Sequence, residues 1–471
     1  MLFPTVEYAL FFLLVLAVAW ALARFPAWHK GFLLVASYVF YGFWNWTYLP
    51  LLFGISVFSA LIAQRIQKSE RDPRRWLTLG VAVCLAVLAF YKYTGFFLEN
   101  LLVVWGRFGP PPRIGYHSPV LPLGVSFFVF HAISLMGDCY RGKVKEPVRM
   151  GDALLYVAFF PQLIAGPILR ASRFLPQLAK PRDPRRIRVD RGLLLIAGGL
   201  FKKVIISNML ATRLVEPVFA VPQSYSGADV LLAVYGYAAQ IYCDFSGYTD
   251  IAIGCALLLG YRFPANFRAP YTATDPQDFW RRWHISLSTW LRDYLYFPLG
   301  GSRLGSLRTY VNLMLTMLLG GLWHGAGWTF VVWGGLQGGY LVTHRLWSRV
   351  KWSPVLWLRR TQAWVWVSRL LLFHAVCVGW VFFRASSFGI AFQVFERLAV
   401  PGWATLATGP VVLVLILGLA GQYAPSRWRN SVEVEMGRWP TLARGAAFAG
   451  AITAIEVLGP TGVAPFIYFQ F

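Results

Sequence analysis

Two histidines and two carboxylates stand out in a sequence with little other polar chemistry. His324 lies in Gly320-Gly321-Leu322-Trp323-His324-Gly325-Ala326-Gly327-Trp328, a run otherwise apolar, aromatic or glycine. An ionisable group at membrane depth is costly and marks a pathway or a reaction site. With an unperturbed pKa of ~6.5, an imidazole can take the proton of an attacking hydroxyl at neutral pH. The alternative is a histidine that ties helices together by a hydrogen bond across a bundle. Gly320, Gly321, Gly325 and Gly327 keep side chains away from the ring, and Gly334, Gly335, Gly338 and Gly339 leave space for a close neighbour or a substrate. A helix running on from 323 would put Trp328, Val331, Gly335 and Gly338 on the His324 face, a slim groove resembling an access channel.

His284 comes forty residues earlier, in Trp280-Arg281-Arg282-Trp283-His284-Ile285-Ser286, a stretch dense in groups that bind anions. Upstream, Tyr242-Cys243-Asp244-Phe245-Ser246-Gly247-Tyr248-Thr249-Asp250 interrupts a long apolar run with Asp244, Ser246, Tyr248 and Asp250. The two histidines with either aspartate are ligand types for zinc, yet there is no HExxH and no clustered His/Cys spacing, so no metal is expected. Nucleophile-elbow, Walker and dinucleotide motifs are also missing. His29, His117, His131, His344 and His374 lack comparable surroundings and are assigned structural or interfacial places.

The elements that position these residues follow from composition. Of 471 residues 57% are hydrophobic and only 14% charged, against roughly 25% charged in soluble domains. This is the composition of an all-α polytopic membrane protein. The net charge of +24 falls in short clusters between apolar runs, which fits positive-inside topology and anionic headgroups and argues against nucleic acid as a partner. Cys84, Cys139, Cys243, Cys255 and Cys377 have no CxxC spacing and read as buried thiols. The first apolar run has no basic flank and no evident cleavage site, which suggests a retained helix.

A crossing needs about 20 apolar residues. Candidate runs are 7–24, 31–46, 48–64, 76–95, 119–139, 152–169, 192–211, 229–261, 309–344, 366–384, 409–424 and 445–460. The clusters Arg65–Arg75 and Arg141–Arg149 set the cytoplasmic side and put the N-terminus outside. Run 152–169 has basic flanks on both sides and contains Pro161, Gly166 and Pro167, so a re-entrant element is expected. Run 229–261 is too long for one straight crossing; a broken helix around a polar cavity and an extramembrane loop between two helices both explain it. The basic, aromatic segment 262–308 should lie on the cytoplasmic face as partly interfacial helices. In 309–344 the first arm, 310–322, is only about 20 Å as a helix, which would place His324 inside the slab near the apex of a hairpin. The count comes to about 11–12 transmembrane helices with both termini outside, in a single domain, 1–471, with no linker or internal repeat.

Several of these blocks together resemble the membrane-bound O-acyltransferase family, with its polysaccharide-acetylating bacterial branch closest. They are Asp244-Phe245-Ser246-Gly247-Tyr248-Thr249-Asp250, Asn266-Phe267-Arg268-Ala269-Pro270-Tyr271, Asp278-Phe279-Trp280-Arg281-Arg282-Trp283-His284-Ile285-Ser286-Leu287-Ser288 and Gly321-Leu322-Trp323-His324-Gly325-Ala326. Pro122–Phe128, Phe160–Ile168, Gly379–Ala385 and Phe466–Phe471 extend the match over essentially the whole chain. Segments 386–407 and 428–444 carry no motif of the family.

The resemblance implies helices around a central channel and acyl transfer inside the membrane. It makes His324 catalytic and His284 a supporting histidine. The implied donor is a cytoplasmic thioester such as acetyl-CoA, used as substrate with no bound cofactor. It would approach Trp280, Arg281 and Arg282, while Asp244, Ser246, Tyr248, Asp250 and Trp323 line the cavity. The implied acceptor is an extracytoplasmic polysaccharide, alginate or another glycan. It would be reached through a periplasmic SGNH-type acetyltransferase partner and export machinery at a bacterial inner membrane. Two other classes share some of these features: a secondary transporter, with its broken helices and intramembrane carboxylates, and a non-catalytic subunit of a secretion complex, in which His324 would tolerate substitution.

Overall fold

The computed structural model describes residues 3–109, 119–460 and 466–467. His117 and the Tyr468–Phe471 part of the terminal motif lie outside them. The described residues form α-helices with short 3-10 and π segments and no strand. Caps and prolines start the helices where the apolar runs begin. Asp72 and Asp275 accept the N–H of Arg75 and Asp278 at 3.2 and 2.8 Å, and each precedes a proline at the first helical position.

Pro26–Lys68, Pro73–Trp105, Val189–Ala220, Gln362–Arg384 and Thr441–Leu458 are helical stretches long and apolar enough to cross a membrane. Phe90, Phe97, Leu370 and Val457 stand exposed along them, as lipid-facing side chains must. The chain is a polytopic helical membrane protein. Pro26–Lys68 contains two of the expected spans, separated by a 3-10 turn at Trp46–Tyr48. Val6–Ala21, Val125–Tyr140 and Gly409–Tyr423 are apolar but shorter. All five cysteines are buried free thiols.

Backbone packing divides the chain into two compact units, Met1–Arg188 with Cys255–Pro264, and Val189–Gly254 with Ala265–Phe471. The chain changes unit inside the helix Gly227–Leu258, so no linker composition marks the division in the sequence.

In the first unit, segment 152–169 has the irregular backbone that its prolines and glycine suggest. The helices Met150–Ala158 and Phe160–Leu163 are followed by residues 164–170 without regular structure, and 153–169 is buried throughout. Its polar groups are satisfied inside the protein. Tyr156 Oη donates to Leu169 O at 2.8 Å, Gln162 Nε2 to Tyr156 O at 2.5 Å, and the Leu169 N–H to His131 Nε2 at 3.2 Å. His29 donates from Nδ1 to Ala19 O at 2.8 Å. These two histidines therefore hold backbone.

In the second unit two expectations are corrected. Residues 242–250 neither break a helix nor form a loop: Gly227–Leu258 is one continuous helix of 32 residues. The irregularity lies in its neighbour Val189–Ala220, which widens into π-helix at Phe201–Ser207 and Ala211–Val215. A Cβ on Gly199 or on Gly247 would stand 2.7 Å from the other's carbonyl oxygen, so the two backbones touch there. The π segment then turns two consecutive lysines onto the carboxylates: Lys202 Nζ lies 2.5 Å from Asp250 and Lys203 Nζ 2.5 Å from Asp244. The helix stays intact because its charges are neutralised from outside.

The hairpin 309–344 also differs from expectation. Its first arm is Gly305–His324, 20 residues, or about 30 Å, so helix length no longer stops His324 short of a full crossing. The helix ends at His324 and a new one, Trp328–Trp347, begins after the turn. Trp328, Val331 and Gly335 therefore do not continue the His324 face, and the expected groove is occupied. A side chain on Gly321 would run into Phe330 O, one on Gly334 into Met317 O, and one on Gly338 would meet Met314 Sδ at 2.8 Å. The glycines serve the close approach of the two arms.

Candidate active site

His324 ends its helix and is 3% exposed. Aromatic rings surround it: Trp323 at 5.0 Å, Trp333 at 5.0 Å and Phe383 at 5.3 Å between centroids, each edge-to-face with the imidazole. Trp333 comes from the second arm of the hairpin and Phe383 from Gln362–Arg384. The His284 ring centre lies 6.4 Å away.

His284 is fully buried and holds φ 40°, ψ 53° at the N-cap of the short helix Ile285–Leu291. A left-handed conformation costs a non-glycine residue about 1–2 kcal/mol, so its surroundings must enforce it. Asn266 does so. Its Oδ1 accepts the Ser286 N–H at 3.0 Å and the Ser286 hydroxyl at 2.9 Å, and lies 3.3 Å from His284 Nδ1; its main-chain O accepts the Ile285 N–H at 2.9 Å. The Ser286 N–H identifies this Asn266 atom as the carbonyl oxygen. The His284 proton therefore sits on Nδ1 and the lone pair on Nε2. Phe245 meets the imidazole at 4.5 Å and 87°. Burial pushes the His284 pKa down to about 3, so the ring is neutral at physiological pH.

A cavity of about 650 Å³ is lined by Arg281, Arg292, Arg345, Arg349, His344, Trp280, Ser288, Thr316 and Met317, among others; no carboxylate is among the lining residues, though Arg292 pairs with Asp293 at 2.7 Å and His344 lies 3.7 Å from Asp275 just outside them. Met317 is two helical turns before His324 on the same helix, about 10 Å away along the axis. Trp280 stands 6.0 Å from Trp333, which in turn flanks His324. Trp280 of the cavity wall thus abuts Trp333 of the histidine cage, and the helix Gly305–His324 contributes to both. Such a cationic cavity suits a phosphate-bearing molecule.

The structure brings His284, His324 and Trp323 together and places Trp280 and Arg281 in the cavity wall. Arg282 does not line the cavity; it is held by Asp278 at 2.9 Å and donates to Thr272 at 3.1 Å. Asp244, Ser246, Tyr248 and Asp250 also lie off the cavity and face the two lysines: Lys202 donates to Ser246 at 3.0 Å, and Lys203 lies 5.5 Å from the centre of the Tyr248 ring. Among the described residues no three His, Cys, Asp or Glu gather as a metal site. Sequence reasoning missed Arg345, Arg349 and His344 as cavity residues, the paired roles of Lys202 and Lys203, and Asn266 as the support of His284. Arg345 and Arg349 are one helical turn apart, a spacing that would have put them on one face.

The model of the MBOAT, membrane-bound O-acyltransferase, family matches residues 145–383, which include both histidines and the cavity arginines. The chain belongs to this family. It is 37% identical over 470 residues to a probable alginate O-acetylase of Pseudomonas putida, covering 93% of this chain and 94% of that protein. It is 42% identical over 377 residues to a probable alginate O-acetylase of Azotobacter vinelandii, covering 79% and 73%. A peptidoglycan O-acetyltransferase of Helicobacter pylori is 38% identical over 407 residues, covering 80% and 75%.

Proposed function

We propose that the protein is a membrane-embedded O-acetyltransferase of a bacterial inner membrane. In this reading it moves an acetyl group from a cytoplasmic thioester, acetyl-CoA or a similar phosphate-bearing donor, toward an extracytoplasmic polysaccharide. The observation that carries the reading is the pairing of a caged histidine with a cationic cavity one wall away. The donor's phosphates lie among Arg281, Arg345 and Arg349, and its thioester reaches toward His324. His324 takes the proton of an acceptor hydroxyl, whose oxygen attacks the thioester carbonyl; the C–S bond breaks and the thiol leaves toward the cytoplasm. The last turn of a helix favours the imidazolium that forms, and the aromatic cage excludes water that would hydrolyse the thioester. His284, neutral and oriented by Asn266, supports the arrangement from the side.

The O-acetylating relatives described above are named for alginate and for peptidoglycan, so the acceptor is assigned at the level of an exopolysaccharide or cell-wall glycan. A periplasmic SGNH-type partner that completes delivery belongs to the same proposal. The test is to supply purified protein in vesicles with acetyl-labelled thioester and a hydroxyl acceptor. Labelled acetyl ester and free thiol in equal amounts support the reading; movement of intact label across the vesicle without thiol release contradicts it and favours a transporter.

A further inference from the structure

We propose that the Lys203–Asp244 ion pair is a catch for the chain segment at Phe466–Ile467, and that through this segment Asp244 positions His284. Lys203 and Asp244 are 1% and 2% exposed. Buried charges persist only where their bonding capacity is met. One oxygen of Asp244 takes Lys203 Nζ at 2.5 Å and the Ser207 hydroxyl at 3.3 Å. The other oxygen accepts the backbone N–H of Ile467 at 2.9 Å, across 223 residues of sequence. A cross-tie between two helices would need only the first oxygen.

The held segment leads to the reaction centre. Phe466 is fully buried, its ring centre 4.4 Å from Tyr248 and 5.6 Å from Phe245. Phe245 is the ring that meets His284 at 4.5 Å. Lys203, Asp244, Ile467, Phe466, Phe245 and His284 therefore form one continuous line of contacts inside a single compact unit. The neighbouring pair, Lys202 with Asp250, is 20% and 31% exposed in its side chains and makes no bond to Phe466 or Ile467 among the described contacts, which makes it the internal control. Asp244 is thus a positioning residue: it touches neither donor nor acceptor and acts through Phe466 and Phe245.

The turnover arm of this proposal rests on the acyl-transfer reading; the docking arm does not. The decisive variant is the double replacement Lys203→Met with Asp244→Leu, which removes both charges together, leaves no unpaired ion and takes away the acceptor for Ile467 N–H. Three quantities are measured on full-length protein: thermal midpoint, the rate at which a protease trims the segment beyond Gly459, and kcat and KM for the donor. We expect a folded variant that is trimmed roughly tenfold faster, with kcat lower by tenfold or more and donor KM within about twofold. Lys202→Met should be trimmed at the wild-type rate. Trimming of the double variant at the wild-type rate overturns the catch, and faster trimming with unchanged kcat overturns the positioning role. If the wild-type protein shows no acyl transfer, the functional reading fails, while the trimming rates still decide the catch.

Discussion

The rings of His284 and His324 stand 6.4 Å apart although they come from separate elements forty residues apart in sequence. His324 ends a 20-residue helix, whereas His284 occupies a left-handed N-cap of a seven-residue one. The long helix is fixed by glycine-mediated contact with its partner arm, and the short one depends on Asn266. The two histidines should therefore respond to different substitutions.

Asn266→Ala removes the acceptor shared by His284 Nδ1 and both Ser286 donors. The expected outcome is a kcat lower by roughly tenfold to a hundredfold with little change in donor KM, and a loss of about 1–3 kcal/mol in stability from the orphaned donors. Turnover at the wild-type rate would show that His284 needs no such support.

The donor site is tested by charge removal. Arg345→Gln and Arg349→Gln should each raise donor KM several-fold, with an effect that shrinks as salt screens the cavity. Arg282→Gln should leave donor KM unchanged, because Arg282 is spent on Asp278 and Thr272. The reverse pattern would move the donor to another face of the short helix Pro276–Arg282.

Helix approach within the hairpin is tested by adding single methyl groups. Gly334→Ala should cost about 1–3 kcal/mol, since the methyl meets the backbone of Met317. Gly339→Ala, with nothing within 4 Å, should stay within about 0.5 kcal/mol of wild type. Equal effects at the two positions would contradict the contact.

What the sequence revealed and what it concealed have physical reasons. Hydrophobic runs mark membrane helices whatever their partners, and a lone imidazole among glycines and aromatics is conspicuous, so the helical class and His324 were legible. The state of Asp244 and Asp250 was not. A polar run in an apolar segment suggests a break, yet the helix persists because Lys202 and Lys203 arrive from a π-widened neighbour, and no local pattern announces partners 48 and 41 residues away. The hairpin glycines were read as space along a groove, but a missing side chain equally admits another backbone, and that is what Gly321 and Gly334 receive. The roles of Arg281 and Arg282 separated for a similar reason. Adjacent helical residues point about 100° apart, and one of the two meets a carboxylate at i,i+4 spacing.

The most direct test of the account compares wild type with His324→Ala, both inserted in membranes at equal amount, for thiol release and acetyl-ester formation from the labelled thioester. The variant should bind donor with near-wild-type affinity and lose turnover by at least about a hundredfold. Ester formation at the wild-type rate by His324→Ala would contradict it.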